Sequence, residues 1–400
     1  MVIELSDIKS AAKQLSGTIR PTPTVHARSL SELIGREVWA KPEHFQRTGS
    51  FKIRGAYNFV AKHTTTNAEV VAASAGNHAQ GVALAASLCG MRSTIYMPTN
   101  ASLPKLEATR AYGAKVIVGG ESVDACIEAA REYAGKGHAI YVPPFDDPDV
   151  IAGQGTIGLE LLAEVPLPEV VVVPVGGGGL ISGIALALKA SNSSAKVIGV
   201  EAAGSAAMLA ALSAGAPVAL DSLNTMADGI ALRSVCQLTL DHVQNYVDDI
   251  VTVEEEEISR AVLILLERHK WVVEPAGAVG LGALLAGKIP GKERVVVVLS
   301  GGNIDPLLLT RLIEHGLSAA GRYLMVRVVL DDRPGALAQL TETVASLGLN
   351  VLNVDHHRSG QSIGTHEVEV FLTLETSDPS HRDRIVPTLV TRGFRAETMG

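Results

Sequence analysis

The chain has 400 residues, 47% of them apolar, which is material for two or three domains; only 4% are aromatic, so their cores must be built from Val, Leu, Ile and Ala. Its 34 basic and 42 acidic residues leave a formal charge of −8 dispersed along the chain, which argues against a nucleic-acid groove or an anionic membrane surface as partner. Cys89, Cys126 and Cys236 lie far apart without metal-like spacing, no apolar segment reaches membrane-spanning length, and Met1 to Asp7 carries no basic-then-apolar leader. The expectation is a soluble, cytoplasmic protein with reduced thiols.

In chain order, short apolar runs alternate with helix-period segments from about residue 70 to 315. Val70-Val71-Ala72-Ala73 reads as a strand, Ala79 to Leu88 as a helix, and Thr94-Ile95-Tyr96-Met97 as the next strand. A helix over Leu103 to Tyr112 and a strand over Lys115 to Val118 follow. Val170 to Val173, Val197 to Val200 and Val295 to Leu299 are unbroken apolar runs of the kind that parallel sheets bury on both faces, so the fold class is α/β. The acidic run Glu254 to Glu257 suits the solvated first turn of a helix. After Gly316 the connector Ser318-Ala319-Ala320-Gly321 leads to a strand from Tyr323 to Leu330, with Met325 and its apolar neighbours read as core. A helix over Ala336 to Leu347, strands near Val351 to Val354 and Glu367 to Leu374, a helix over Arg382 to Thr391 and a last strand complete a βαββαβ, ferredoxin-like order.

Four clusters carry the chemistry. Ser50-Phe51-Lys52-Ile53-Arg54-Gly55-Ala56 holds a lysine that, alone, reads as a surface residue at a helix start. Ser74-Ala75-Gly76-Asn77-His78-Ala79-Gln80-Gly81 lies where a strand ends and a helix begins, either an anion site or an Asn-capped turn. Gly176-Gly177-Gly178-Gly179-Leu180 leaves backbone N–H groups unshielded for a phosphate, with a flexible turn as the alternative. It has no Gly-Lys-Ser/Thr ending and no Gly-x-Gly-x-x-Gly spacing, so it is neither a nucleotide P-loop nor a dinucleotide fingerprint. Ser300, in Ser300-Gly301-Gly302-Asn303, follows a strand's C-terminal end, where ligands gather in open α/β sheets, and also suits a helix N-cap. Asp355-His356-His357 suggests a metal, but neighbouring strand residues face opposite sides, which favours surface roles. A lysine, a polar loop, a phosphate cradle and a hydroxyl suit pyridoxal phosphate (PLP), although spacing alone does not identify the cofactor.

With these motifs in this order, residues 1–320 resemble the fold-type-II PLP enzymes and, within them, the threonine dehydratase (threonine ammonia-lyase) family. Asp332-Arg333-Pro334-Gly335-Ala336-Leu337 resembles the opening of an ACT regulatory domain. The resemblance implies a catalytic domain over 1–320, with a smaller subdomain of roughly 45–150 nested in the larger, and an ACT-like domain over 321–400. It implies that Lys52 carries the cofactor in Schiff-base linkage and moves the substrate α-proton. Phe51 adjoins the cofactor, Asn77 bonds its phenolic oxygen, Gly176 to Gly179 with Leu180 hold its phosphate, and Ser300 meets its pyridine nitrogen. Ser74, Ala75, Gly76, Asn77 and His78 receive the substrate carboxylate. The implied reaction is deamination of L-threonine to 2-oxobutanoate and ammonia by α,β-elimination of water, and likewise of L-serine to pyruvate.

Two departures separate relatives. Serine racemases carry a serine where Ala75 stands, and threonine and cysteine synthases have an acidic residue where Ile53 stands. Several relatives bind a divalent cation near the match to Glu201; Ala207 stands where a second carboxylate is expected, and no metal is assigned. Glu274-Pro275-Ala276-Gly277-Ala278 matches a family motif without a role for Glu274. A non-catalytic amino-acid sensor is the rival from another class, which intact Lys52 disfavours. The expected effector is isoleucine or valine, bound by Pro334, Gly335, Asn350 and Asn353. Such modules pair between subunits, so a homo-oligomer, dimer or tetramer, is expected.

Overall fold

The computed structural model describes residues 3–64, 68–319, 322–358, 364–376 and 379–399. Ala320 and Gly321 of the expected connector, and Met1 and Val2, lie outside them. Strands β1 (Val25–His26) and β2 (Val38–Pro42) come first; β3 (Glu69–Ala73), β4 (Ser93–Met97), β5 (Lys115–Val118) and β6 (Ala139–Tyr141) follow. Next are β7 (Val170–Pro174), β8 (Lys196–Ala202), β9 (Asp249–Val253) and β10 (Val295–Leu299), then β11 (Tyr323–Asp331), β12 (Asn350–His357), β13 (Glu367–Glu375) and β14 (Arg395–Thr398).

By internal contacts the chain divides into two compact units, Met1–Pro306 and Leu307–Gly400, so the helix Pro306–Ala319 falls almost wholly in the second. The first unit holds a six-stranded sheet, ordered β1-β2-β10-β7-β8-β9, in which only β1 is antiparallel, and a parallel four-stranded sheet ordered β5-β4-β3-β6. All four strands of the smaller sheet lie between β2 and β7 in sequence. Every residue of β3, β7 and β10 is buried, as unbroken apolar runs require when helices cover both faces. The helices Pro148–Glu164 and Gly179–Ala190 approach so closely that a Cβ on Gly183 would stand 2.4 Å from the Ile151 carbonyl oxygen. The acidic run starts a helix as its charge suggests: Glu254 is the N-cap of Glu255–Ile264, and its backbone N–H donates to the Glu257 carboxylate in a capping box.

The second unit is an antiparallel sheet ordered β12-β13-β11-β14 with helices Ala336–Ser346 and Pro379–Thr391, the expected βαββαβ order. Leu324, Val326, Val328 and Leu330 point into its core. Met325, expected as core, is 48% exposed, because β11 alternates and Met325 lies on the opposite face from Leu324 and Val326. His356 and His357 are exposed on the edge strand β12. Among the described residues no cluster of three His, Cys, Asp or Glu is arranged for a metal, the three cysteines are free, and no helix is long and apolar enough to cross a membrane.

Candidate active site

In the first unit, three of the four clusters follow the C-terminal ends of parallel strands: Ser74 after β3, Gly176 after β7 and Ser300 after β10. Strand ends in such sheets leave a crevice for ligands. Here a cavity of about 1190 Å³ is lined by all four clusters. The stretch before Lys52 is locked to the Ser300 cluster by backbone bonds: Phe51 N–H donates to Ser300 O (3.1 Å) and Gly302 N–H to Gly49 O (2.8 Å). Ser50 and Gly301 form an antiparallel bridge. Ser300 is 4% exposed and caps no helix; the next one starts at Pro306.

Lys52 opens the helix Lys52–Ala61, and its Nζ donates to the Pro144 carbonyl at 2.8 Å. Burial lowers its pKa to about 8, against the opposing pull of Glu274. An ordinary lysine would be almost wholly cationic at neutral pH; this one has a usable fraction of free amine.

The loop after β3 is not an Asn-capped turn. Gly76 is the N-cap of the helix Asn77–Leu88, and the Asn77 amide points elsewhere. Its Nδ2 donates to Glu274 Oε1 (2.6 Å), and its Oδ1 accepts from Asn303 Nδ2 (2.7 Å). The Ser74 hydroxyl accepts from Gly76 N–H at 3.1 Å. His78 bonds the Val142 carbonyl through Nε2 (2.9 Å), and burial, reinforced by Lys52, holds its pKa down at about 3. A ring so committed and so hard to charge is structural. The loop backbone is then what remains for a carboxylate.

The four glycines form a packed cradle and not a slack turn. A Cβ on Gly177 would fall 2.3 Å from the Phe145 ring, one on Gly178 2.6 Å from Met208 Cε, and one on Gly176 2.9 Å from Ile230 Cα. Gly178, at φ +90°, is the N-cap of Gly179–Ala190, so the loop presents N–H groups and a helix dipole to the cavity. A buried amine of lowered pKa, an anion cradle without side chains, an anchored amide and a hydroxyl together fit an anionic aldehyde such as PLP.

Sequence reasoning left several lining residues without a role. Pro144 and Phe145 lie in no motif, and their contributions, a carbonyl and a packed ring, leave no pattern. Lys105 and Asp228 make an ion pair at the cavity wall, across 123 residues of sequence. Glu274, which carried a motif but no role, is 3% exposed and beside Asn77. Burial first, then the charge of Asp228, raises its pKa to about 7. Glu201 lies away from these clusters: both its oxygens accept backbone N–H groups, Met208 (2.8 Å) and Leu209 (2.9 Å), at the start of the helix Ala207–Ala214.

In the second unit, Gly335 adopts φ +90° before the helix Ala336–Ser346, as the turn at Pro334 requires. The structure does not bring the four expected effector residues together within one chain. Asn353 is level with Thr373 and Met325, six residues along β11 from Asp331, or about 20 Å at strand rise, and Asn350 lies further still, level with Tyr323. Their amides engage Asp355 (2.8 Å) and Glu375 (3.2 Å). The physical reason is the crossover: the helix Ala336–Ser346 returns the chain to the other end of the sheet before β12 begins.

Comparison with known proteins identifies the family. The model of the pyridoxal-phosphate dependent enzymes matches residues 15–301, and that of the ACT domain matches residues 324–386. An L-threonine ammonia-lyase of Thermotoga maritima is 46% identical over 401 aligned residues, covering 100% of both chains. The processed form of threonine deaminase isoform 2 from Solanum lycopersicum superposes with a TM-score of 0.73 at 37% identity, over 78% of this chain and 91% of that one. Maize serine racemase superposes with a TM-score of 0.74 at 33% identity, over 80% of this chain and 99% of that one. The chain therefore belongs to the pyridoxal-phosphate dependent enzymes, in the threonine ammonia-lyase family, and ends in an ACT domain.

Proposed function

We propose that this enzyme converts L-threonine to 2-oxobutanoate and ammonia, by α,β-elimination of water followed by hydrolysis, converts L-serine likewise to pyruvate and ammonia, and does so with Lys52 as its cofactor-bearing and proton-moving residue. The observation that carries the reading is the Lys52 amine, bonded to the Pro144 carbonyl, in the cavity that the glycine cradle also lines. When bound, PLP supplies an aldehyde for an amine and a conjugated ring that takes up the electron pair left by a departing α-proton.

The chain's own residues do the rest. Backbone N–H groups of Gly176 to Leu180, at the positive end of a helix, hold a phosphate. Phe51 flanks the cofactor, and Asn77 offers it an amide N–H. Ser300 would offer a neutral hydroxyl to the ring nitrogen, and a hydroxyl, unlike a carboxylate, does not stabilise a proton there. Ser74 to His78 receive the substrate carboxylate through loop backbone. The freed Lys52 Nζ accepts the α-proton, help worth about 10²–10⁴-fold in general acid–base catalysis. The β-hydroxyl leaves as water, with one proton delivered to its oxygen for the α-proton taken up by Lys52; the released enamine tautomerises to an imine, which one water hydrolyses in solution to the 2-oxo acid and ammonium.

For the ACT domain we infer an amino-acid effector, isoleucine or valine, whose contact residues lie too far apart in one module to share a ligand. One molecule meets both groups only where the Pro334-Gly335 turn of one copy faces Asn350 and Asn353 of another, which ties regulation to a homo-oligomer, dimer or tetramer. Three sparse, unpaired cysteines support a cytoplasmic setting.

Borohydride reduction and peptide mapping test the assignment: the phosphopyridoxyl mass belongs on Lys52, and its presence on another lysine refutes it. The 2-oxo acid released from threonine and serine, with and without isoleucine or valine, tests substrate and effector. Absence of 2-oxo acid from both substrates refutes the reaction.

A further inference from the structure

Glu274 is an acid at a helix N-cap that does not cap. It precedes Pro275–Leu285, yet its side chain makes no cap hydrogen bond and reaches Asn77 instead. Its own N–H is fixed to Gly301 O (3.0 Å), so the side chain leaves from an anchored backbone.

An asparagine amide has two N–H donors and one carbonyl acceptor, and the two ends are interchanged by a flip. Here both ends are assigned by partners. Asn303 Nδ2 donates to Thr48 O and to Asn77 Oδ1, both at 2.7 Å, so Asn77 must present oxygen on that side. Glu274 Oε1 takes one Nδ2 hydrogen at 2.6 Å. Flipping Asn77 would set its oxygen against a carboxylate oxygen and its N–H groups against those of Asn303. The unflipped amide keeps its second Nδ2 hydrogen for whatever occupies the cavity that Asn77 lines. The space for this meeting is kept open by Gly301, where a Cβ would fall 2.1 Å from Glu274 Oε1 and 3.1 Å from Asn77 Nδ2.

We propose that Glu274 is a positioning residue that holds the Asn77 amide in the one orientation that offers an N–H to the cofactor. The proposal rests on the reading that PLP occupies this cavity, and deepens it. It adds a pH dependence: the carboxylate form polarises the Asn77 N–H more strongly than the acid form does. Burial and Asp228 raise the Glu274 pKa to about 7, while Asn77, Lys105 and Lys52 oppose them. Asp228, Lys105 and Lys52 are the charged groups facing it, from the turn Asp228–Ile230 and the helices Leu103–Ala111 and Lys52–Ala61; His78, on the helix of Asn77, is held neutral.

The test measures PLP affinity of the full chain by tryptophan fluorescence quenching, and the visible absorbance of the loaded protein, from pH 6 to 8. Glu274→Leu removes the acceptor, and affinity is expected to fall about tenfold, the loss of one hydrogen bond to a charged group. Glu274→Gln keeps an acceptor oxygen without a titrating proton: affinity should recover to within about threefold of wild type, and the wild-type transition near pH 7 should vanish. A Leu variant that loads and absorbs as wild type overturns the proposal, as does a Gln variant that keeps the transition. If the Leu variant does not fold, the Gln pH profile decides alone. A wild-type chain without cofactor on Lys52 overturns the underlying reading as well, and is recognised before any variant is made.

Discussion

Gly177→Ala is the smallest change that reaches the cradle. Its new carbon would stand 2.3 Å from Phe145 Cδ1 and 2.4 Å from Cε1 and Cγ. Carbon atoms rest at about 3.5–4.0 Å, so the ring or the loop must yield by roughly 1.2 Å or more. Overpacking of this kind costs about 1–3 kcal/mol. If the loop yields, at least one N–H loses its phosphate, and a hydrogen bond to a charged group is worth about 1.5–3 kcal/mol. Affinity for PLP should then fall by about tenfold or more. Gly119→Ala is the control, since its Cβ meets nothing within 4 Å. Equilibrium dialysis of both variants against PLP, alongside melting curves, separates the cases. Unchanged affinity in Gly177→Ala would refute the cradle; a similar loss in Gly119→Ala would show that the effect is not local.

Ala75→Ser puts a hydroxyl on a loop lining the same cavity as Lys52 and should add D-serine formation from L-serine, read by chiral chromatography; no D-serine above wild type would show that this position does not reach the substrate. Glu201→Gln tests a buried charge. Burial raises the Glu201 pKa from 4.5 to about 7, against the two backbone N–H groups, so the folded state holds its proton more tightly than the unfolded chain. Its ionisation therefore costs nothing below about pH 4.5 and reaches about 3 kcal/mol above pH 7. Urea midpoints should fall less between pH 5 and 7 in the Gln variant than in wild type, and an equal fall refutes the sign. Arg54→Met strips the guanidinium from buried Glu43 (2.8 Å) and from Glu160 (2.5 Å) and should cost about 3–5 kcal/mol, with part returned by adding Glu43→Gln; a melting temperature equal to wild type would sink it.

What the sequence made legible is what local pattern encodes. Buried strands are unbroken β-branched runs, so β10 falls on the residues expected, and the motifs after β7 and β10 arrive together because parallel strands of one sheet share an end. Contacts between distant residues are another matter. Asn77 and Glu274 are 197 positions apart, and nothing near either says that one amide hydrogen is spent on the other. The Pro144 carbonyl that receives Lys52 is backbone, which every residue has. Met325 shows a different limit. Alternation separates the two faces of a strand, but which face is covered depends on where the helices pack. The expected effector residues lie apart within one chain for a topological reason: nearness to a turn in sequence says nothing of which end of a sheet the next strand starts from.

The two titrating groups at the centre of the cavity are shifted toward each other by one cause. A free lysine and a free glutamate titrate at 10.5 and 4.5; here Lys52 stands at about 8 and Glu274 at about 7. A close salt bridge would have driven them apart, since each charge would favour the other. They move together because Glu274 spends its oxygen on Asn77 and Lys52 spends its amine on Pro144, leaving burial to dominate both. For a lysine in the role proposed for Lys52, joining a cofactor and then taking a proton, a strong ion pair would hold the amine protonated and unreactive. Glu274 is thus near enough to act on the charge of Lys52 but spends its oxygen on the Asn77 amide. The same seclusion that frees the amine keeps the acid poised near neutrality.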